Sequence, residues 1–412
     1  MTLAWLSLGA LIAAMIVSCT TQLNVGILGL AFAWLVGVYF GGMRVEEVIG
    51  GFPIQLFLTL VGVTLLFTQA RLNGTLDKLA HAATAVCRGN TGLIPVMFFL
   101  LGCGIASLGP GNVATAAMLA PMAMAVAARA RIPAFLMAIM VGNGAQSGAL
   151  SPFAPTGIIV NGLMDKIGLG GHELWTYSTN LVAHALVAFV GYLLLGGWRL
   201  FGSAFSGASH LAHEVPPFSR THALTLGAIF SVVALVILAG VNIGMAAFAA
   251  AVVLATFRVA DHEQAIKGMP WTPILMVCGM TVLVALLEKT GGLDLFTTLL
   301  ARFSTRETLT GAMAFVTAVI SVYSSTSGVV LPAFLPTIPG LISRLGGGDP
   351  MAVAASMNVG AHLVDMSPLS TTGAVCIAAI PTPEEVRPTY NKLLAWGLSM
   401  SIIGAIGCYL FF

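Results

Sequence analysis

The chain has 412 residues, of which 17 are Lys or Arg and 15 are Asp or Glu, for a formal net charge of +2, while 58% are hydrophobic. A soluble domain draws about a quarter of its residues from the charged types to solvate its surface, and the 8% found here cannot cover one, so lipid is the solvent for most of the chain. The near-zero charge excludes nucleic acid as the main partner, and the dispersed Cys19, Cys87, Cys103, Cys278, Cys376 and Cys408 supply neither a disulfide framework nor a CxxC metal site.

A hydrocarbon core of about 30 Å needs about 20 apolar residues per helical span. Apolar runs over 3–20, 24–42 and 53–70 meet that length. The first lacks the basic region and the small-residue cleavage site of a signal peptide, so it is expected to stay as a membrane span. Within 74–88, Leu76, Leu79, Ala83 and Val86 fall on one helical stripe, as in a helix lying flat in the membrane interface. The segment 92–129 is broken by the uncharged turn Gly109-Pro110-Gly111-Asn112 and reads as a re-entrant helical hairpin with its tip at membrane depth. A span over 132–165, interrupted at 151–157, and a span over 175–198 follow. The stretch 199–221, with Pro216-Pro217 and no long apolar run, reads as a linker.

The same order then recurs. Spans cover 222–240, 243–259 and 271–288; a second interfacial arm, 291–304, aligns Leu293, Phe296, Leu300 and Phe303; a second hairpin, 307–343, breaks at Ser324-Ser325-Thr326-Ser327-Gly328; an interrupted span covers 350–380 and a last span 389–411. The expected fold is an all-α integral membrane protein of about ten transmembrane helices, two of them broken, plus two re-entrant hairpins.

Sliding the chain along itself by 217 residues matches Gly51, Pro53, Gly62, Thr64, Leu66, Gly74, Leu76 and Asp77 with Gly268, Pro270, Gly279, Thr281, Leu283, Gly291, Leu293 and Asp294. A shift of 216 matches Gly144-Ala145, Ser151-Pro152 and Thr156-Gly157 with Gly360-Ala361, Ser367-Pro368 and Thr372-Gly373. Two repeats are therefore expected, 1–198 and 222–412, around a cytoplasmic linker. Each repeat has five spans and a hairpin, which is odd parity, so the second enters the membrane from the opposite side. One side carries eleven Lys and Arg, from Arg71 to Lys392, and the other six, from Arg44 to Arg344. The positive-inside rule makes the richer side cytoplasmic and places both termini outside.

The strongest local motif is the pair Ser151-Pro152-Phe153-Ala154-Pro155-Thr156-Gly157 and Ser367-Pro368-Leu369-Ser370-Thr371-Thr372-Gly373. Proline inside a helix frees the carbonyl four residues back, here those of Gly148, Ser151 and Val364, and a bare carbonyl suits a desolvated cation. The half-helices restarting at Thr156 and Thr372 offer unpaired N–H groups and hydroxyls, from Ser151, Thr156, Ser367, Thr371 and Thr372, to a carboxylate. At the tips, Gly109, Asn112 and Thr115, and Ser325, Thr326 and Ser327, are small hydrogen-bonding turn residues for the same anion and its coupled cation. Asp365, one turn after His362, is a carboxylate inside an apolar span and so a candidate for binding Na⁺ or carrying a proton; a structural Asp–His pair is the alternative. His184 reads as a helix–helix hydrogen-bonding residue and Glu288 as solvated.

No catalytic constellation stands. A relay of Ser367, His362 and Asp365 would crowd onto about one and a half turns of one helix, and no P-loop is present, so transport draws on an ion gradient or runs downhill. No cofactor is expected beyond Na⁺ or H⁺.

With SPFAPTG and SPLSTTG each following a hairpin, and the order of spans, arm, hairpin, broken helix and last span occurring twice, the chain resembles the ion transporter superfamily, most closely its malonate/dicarboxylate carrier type, related to the divalent anion/sodium symporters. The resemblance implies uptake of a small dicarboxylate such as malonate or succinate across the inner (plasma) membrane, coupled to Na⁺ or H⁺, by a homodimeric elevator whose first three spans per repeat form the scaffold. Sodium-coupled dicarboxylate carriers typically show Ser-Asn-Thr at both tips. Here Asn112 stands between Gly111 and Val113, and the second tip reads Ser325-Thr326-Ser327, which leaves Na⁺ and H⁺ both open. The alternatives are a cation/proton antiporter or oxyanion exporter of the same superfamily, and the large membrane subunit of a binding-protein-dependent tripartite carrier.

Overall fold

The computed structural model describes residues 2–21, 23–76, 78, 90–202 and 219–412. Most of the first interfacial arm, including Leu79, Ala83 and Val86, and most of the linker lie outside the described residues. Described residues form helices and connecting turns, with no strand among them. This is the outcome lipid imposes, because a helix satisfies its backbone polar groups within one segment.

Six helices pack in succession on one another: α1 (Thr2–Thr20), α2 (Val25–Trp34, continued by a π-turn over Leu35–Phe40), α4 (Ile54–Leu72), α10 (Arg220–Ala239), α11 (Ile243–Thr256) and α13 (Trp271–Thr290), with short α3 (Val45–Ile49) and α12 (His262–Lys267) between spans. Local sequence sets their starts: Asn24 and Asn242 cap α2 and α11 with side-chain oxygens, and α4 and α13 begin after Pro53 and Pro270 in the same backbone turn, ψ 76° and 66°. Glycines set how the helices cross. A methyl on Gly279 of α13 would sit 1.9 Å from the carbonyl oxygen of Gly26 on α2, and one on Gly62 of α4 would sit 2.4 Å from that of Gly244 on α11. Lipid gives no hydrophobic drive for helices to associate, so such backbone-to-backbone approach is the main source of attraction.

Between α4 and α10 come the hairpin α5 (Leu93–Leu108) and α6 (Gly111–Ala130), then α7 (Ala134–Ser147), α8 (Pro155–Lys166) and α9 (Glu173–Leu194). After α13 come α14 (Gly292–Ala301), α15 (Leu309–Ser321), a composite arm running from a π-turn at Thr326–Val330 through α16 (Leu331–Phe334) to α17 (Ile338–Arg344), α18 (Pro350–Leu363), α19 (Thr371–Ala378) and α20 (Pro383–Phe411). Here too glycine allows close contact: a methyl on Gly144 of α7 would meet the Phe99 carbonyl oxygen at 2.4 Å, and one on Gly360 of α18 the Ala314 carbonyl oxygen at 2.4 Å.

Seven helices among the described residues are long and apolar enough to cross a membrane, including α6 and the composite arm Thr326–Arg344, and several shorter apolar helices accompany them. Large apolar side chains such as Leu194, Leu238 and Phe411 face outward, whereas Asn143, Gln146, Asn180, His184, Asn358 and His362 are buried. That inversion of the soluble pattern follows from the solvent, since lipid offers polar groups no hydrogen bonds. In the second arm Gly292–Ala301 is helical, with Thr297 and Leu300 buried, and Phe303 lies past its end and is exposed.

Candidate functional site

Both proline motifs break their helices. α7 stops at Ser147; Ser151 N–H donates to the Gly148 carbonyl at 3.2 Å and Ala154 N–H to the Ser151 carbonyl at 2.9 Å before Pro155 opens α8. α18 stops at Leu363, a 3₁₀ turn covers Val364–Met366, Ser367 N–H donates to the Val364 carbonyl at 2.8 Å and Ser370 N–H to the Ser367 carbonyl at 3.0 Å, and α19 opens at Thr371. Each carbonyl that proline releases thus accepts a backbone N–H three residues on and keeps one lone pair. The restarts are equally tight. A methyl on Gly157 would lie 1.9 Å from the Ser151 oxygen and one on Gly373 2.0 Å from the Ser367 oxygen, so only glycine fits there. They differ in capping: Ser370 Oγ accepts from Gly373 N–H, while Ala154 gives α8 no side-chain cap.

Between the breaks lies a residue that sequence reasoning missed. Gln146, fully buried in the last turn of α7, accepts from Asn112 Nδ2 at 2.9 Å and extends its own amide toward Thr372 Oγ1 at 3.2 Å and Asp365 Oδ2 at 3.4 Å. The other Asp365 oxygen accepts from Thr326 Oγ1 at 2.8 Å, and Ser321 Oγ lies in turn against Thr326 Oγ1. One chain of hydrogen bonds therefore joins the first tip, the first break, the second break and the second tip. Gln146 carried a signal: it is a polar residue in an apolar span, and the 216-residue shift places it opposite His362.

Asp365 is the one buried carboxylate among the described residues, and no Lys or Arg among them is buried. It does not bond His362, whose Nδ1 faces the Asn358 carbonyl oxygen at 2.8 Å, so the alternative of an Asp–His pair is not formed. His184 behaves as expected, with Nδ1 2.9 Å from Asn143 Oδ1 on α7, and Glu288 is exposed.

The remaining expected site residues divide. Ser151 Oγ donates to the Ser107 carbonyl at 2.7 Å, tying the first break to the first hairpin. Thr156, Ser367, Gly148 and Val364 are buried at the breaks, and Ser325 caps the second tip by accepting from Gly328 N–H at 3.1 Å. Thr371 is exposed and Ser327 partly exposed, and neither joins the chain through Gln146. Gly109 takes φ +143°, and a methyl there would fall 1.8 Å from the Phe67 ring, so the first tip rests directly on α4. Thr115 lines a cavity of about 70 Å³ with Gly109, Pro110, Thr64, Phe67 and Arg71, and its hydroxyl has no partner among the described residues. No group of three metal-ligating side chains occurs among the described residues.

Comparison with known proteins bears on this arrangement. Residues 1–149 match a family model described as "Dicarboxylate carrier protein MatC N-terminus". That region includes Gly109, Asn112, Thr115 and Gln146 and stops before Asp365, Thr326 and Thr372. Over 111 residues the chain is 34% identical to "Uncharacterized transporter YfbS" of Escherichia coli (strain K12), a match covering 25% of this chain and 18% of that protein, so the chain spans under a fifth of that relative's length.

Proposed function

We propose that this chain is a secondary active transporter that takes up a small dicarboxylate of the malonate or succinate type together with Na⁺ or H⁺. The observation that carries the proposal is the hydrogen-bonded chain through Gln146. It gathers residues from two hairpin tips and two helix breaks, elements far apart in sequence, at one place among buried apolar helices. The dicarboxylate-carrier match over 1–149 supports this substrate class.

Electrostatics supplies the coupling. A dicarboxylate brings two negative charges to a region that holds Asp365 and no buried Lys or Arg among the described residues. Burying unbalanced charge is prohibitive, so cations have to travel with the anion. Asn112 and Thr372, once released from Gln146, and the Thr156 hydroxyl then bind the carboxylates, and the lone pairs of the break carbonyls, with Asp365, bind the cation.

The matching backbone of the two breaks, the paired Gly26–Gly279 and Gly62–Gly244 crossings, and φ of +75° at both Gly74 and Gly291 support an inverted repeat. In that reading the hairpins re-enter from opposite faces, both termini are external, and the side containing the breaks moves as an elevator against α1, α2, α4, α10, α11 and α13, in a homodimer in the inner (plasma) membrane. Proteoliposomes test the whole reading: labelled mono-, di- and tricarboxylates are offered under separate Na⁺ and H⁺ gradients. Selective accumulation of a dicarboxylate under one of the gradients is expected; none under either gradient overturns the reading.

A further inference from the structure

Asn112 of the first hairpin tip joins the chain through Gln146, but Gly109 and Pro110 just before it line the cavity of about 70 Å³ that Thr115 shares. The other walls of that cavity come from α4, with Thr64, Thr68 and Arg71 among them, and from Gly268 and Pro270 at the turn between α12 and α13. None of Asn112, Gln146, Thr326, Asp365 or Thr372 lines it. The tip therefore borders two places, the cavity through Gly109 and Pro110 and the proposed substrate site through Asn112, and the transport reading so far uses only the second.

The walls of the cavity specify a ligand. Arg71 is the one charged side chain among the described residues that line it, and it is exposed, whereas Thr115 is fully buried. A guanidinium has several N–H donors. Arg71 Nη2 donates to the Gly268 carbonyl at 3.0 Å, which steadies the side chain, and no carboxylate among the described residues pairs with it, so its charge is not spent. The Thr115 hydroxyl has no partner among the described residues. Thr64 and Thr68 give their hydrogens to the Leu60 and Thr64 carbonyls, each at 2.7 Å, and so leave donation to Arg71 and Thr115. One water needs about 10–15 Å³, so a cavity of about 70 Å³ takes a group of a few heavy atoms. An unpaired positive charge and an unpaired hydroxyl around a space of that size fit one carboxylate.

We propose that this cavity is a recruitment site for the dicarboxylate on the Arg71 face of the membrane: Arg71 and Thr115 hold one carboxylate behind the first tip before the anion passes to the chain through Gln146. This deepens the transporter reading above and rests on it. The physical need is plain. The chain through Gln146 holds Asp365 and has no buried Lys or Arg, so by itself it does not draw a dianion out of water, whereas a cation at the edge of a cleft raises the local concentration of anions and the rate at which they enter. The device is also one-sided. The 217-residue shift that aligns the repeats sets Glu288 against Arg71, and Glu288 is exposed at the end of α13, so the matching position of the second repeat carries the opposite charge.

The test uses the full chain and labelled succinate as probe, with initial exchange rates measured in inside-out and right-side-out vesicles at matched Na⁺ and pH. With succinate offered on the Arg71 face, Arg71→Gln is expected to raise KM about fivefold, the upper range for an exposed ion pair, and to keep kcat; on the opposite face KM is expected to stay as in wild type. Added salt should raise the wild-type KM on the Arg71 face, an effect that Arg71→Lys retains and Arg71→Gln loses. Thr115→Val is expected to raise KM on the same face. Arg129→Gln removes the same charge from the exposed end of α6, away from the cavity walls, and is expected to leave KM unchanged. An unchanged KM for Arg71→Gln, an equal rise from both faces, or the same rise in Arg129→Gln overturns the assignment. Should Arg71→Gln not fold, wild type decides: a KM that responds to salt equally from both faces overturns it too. Succinate transport that is indifferent to Arg71 sinks this proposal and leaves the transporter reading standing, whereas no carboxylate moved under any condition sinks both.

Discussion

Replacing Gln146 with Met removes the junction of the buried hydrogen-bond chain while preserving an unbranched side chain of similar volume. Three contacts go: the acceptor for Asn112 Nδ2 at 2.9 Å and the donors toward Thr372 Oγ1 at 3.2 Å and Asp365 Oδ2 at 3.4 Å. A bond to a charged group contributes about 1.5–3 kcal/mol, and a buried amide left without its partner costs about 1–3 kcal/mol. The Asp365 contact is longer than the 2.7–3.2 Å of a good bond and counts at the low end. Because the contacts share one residue they do not simply add, and the expected loss is about 2–4 kcal/mol. Equilibrium unfolding in mixed micelles reads the loss, and a double-mutant cycle with Asp365→Asn should show a coupling of about 0.5–3 kcal/mol between the two sites. Gln146→Glu sharpens the argument. It sets a second carboxylate beside Asp365 and should be worse than Met near neutral pH, then recover as pH falls, because one shared proton relieves the repulsion. A Gln146→Met protein within about 0.5 kcal/mol of wild type, the scale of an ordinary surface substitution, with unchanged uptake, would show that the chain through Gln146 does not hold the site together.

Thr156→Val and Thr372→Val keep side-chain shape and delete one hydroxyl each; each should weaken dicarboxylate binding by about 1–3 kcal/mol in calorimetry, and unchanged affinity in both well-folded variants would remove the helix breaks from the site. Asp365→Asn should fold, lose gradient-driven accumulation and keep some downhill exchange; full accumulation would reduce Asp365 to a structural role. Gly279→Ala places a methyl 1.9 Å from the Gly26 oxygen, so the α2–α13 crossing has to part and stability should fall by about 1–3 kcal/mol in the same unfolding assay, whereas a wild-type melt would mean that the crossing yields freely. Single cysteines at Asn112 and Thr326, in a background freed of native thiols, should react with an impermeant reagent mainly from the cytoplasm and mainly from outside, respectively, and be shielded by substrate; access to both tips from both faces at once would point to a fixed pore.

The sequence by itself determined the solvent, and through it much of the architecture. Too few charges to clothe a soluble surface meant lipid, lipid meant helices, and prolines and glycines at fixed offsets marked where helices stop: Pro152, Pro155 and Pro368 at the breaks, and Gly109 and Gly111, with φ of +143° and +78°, at the first tip. Such signals are legible because they are local, arising from a missing N–H or a missing Cβ wherever the residue lies in the fold. Asp365 was legible for a related reason, since a carboxylate within an apolar run needs a partner whatever the topology. Which partner it has was decided by tertiary structure alone. His362, three residues back at the end of α18, was the neighbour the sequence offered, yet Thr326 and Gln146 hold the carboxylate, from positions 39 and 219 residues distant. Gln146, Asn143, Asn180 and Asn358 passed as unremarkable polar residues in apolar spans because a single amide becomes informative only when packing shows what it faces. Asn180 and His184 of α9 meet the Gln146 carbonyl and Asn143 of α7 because the two helices pack together, and packing between distant segments depends on side-chain fit across the whole bundle, which no local pattern encodes.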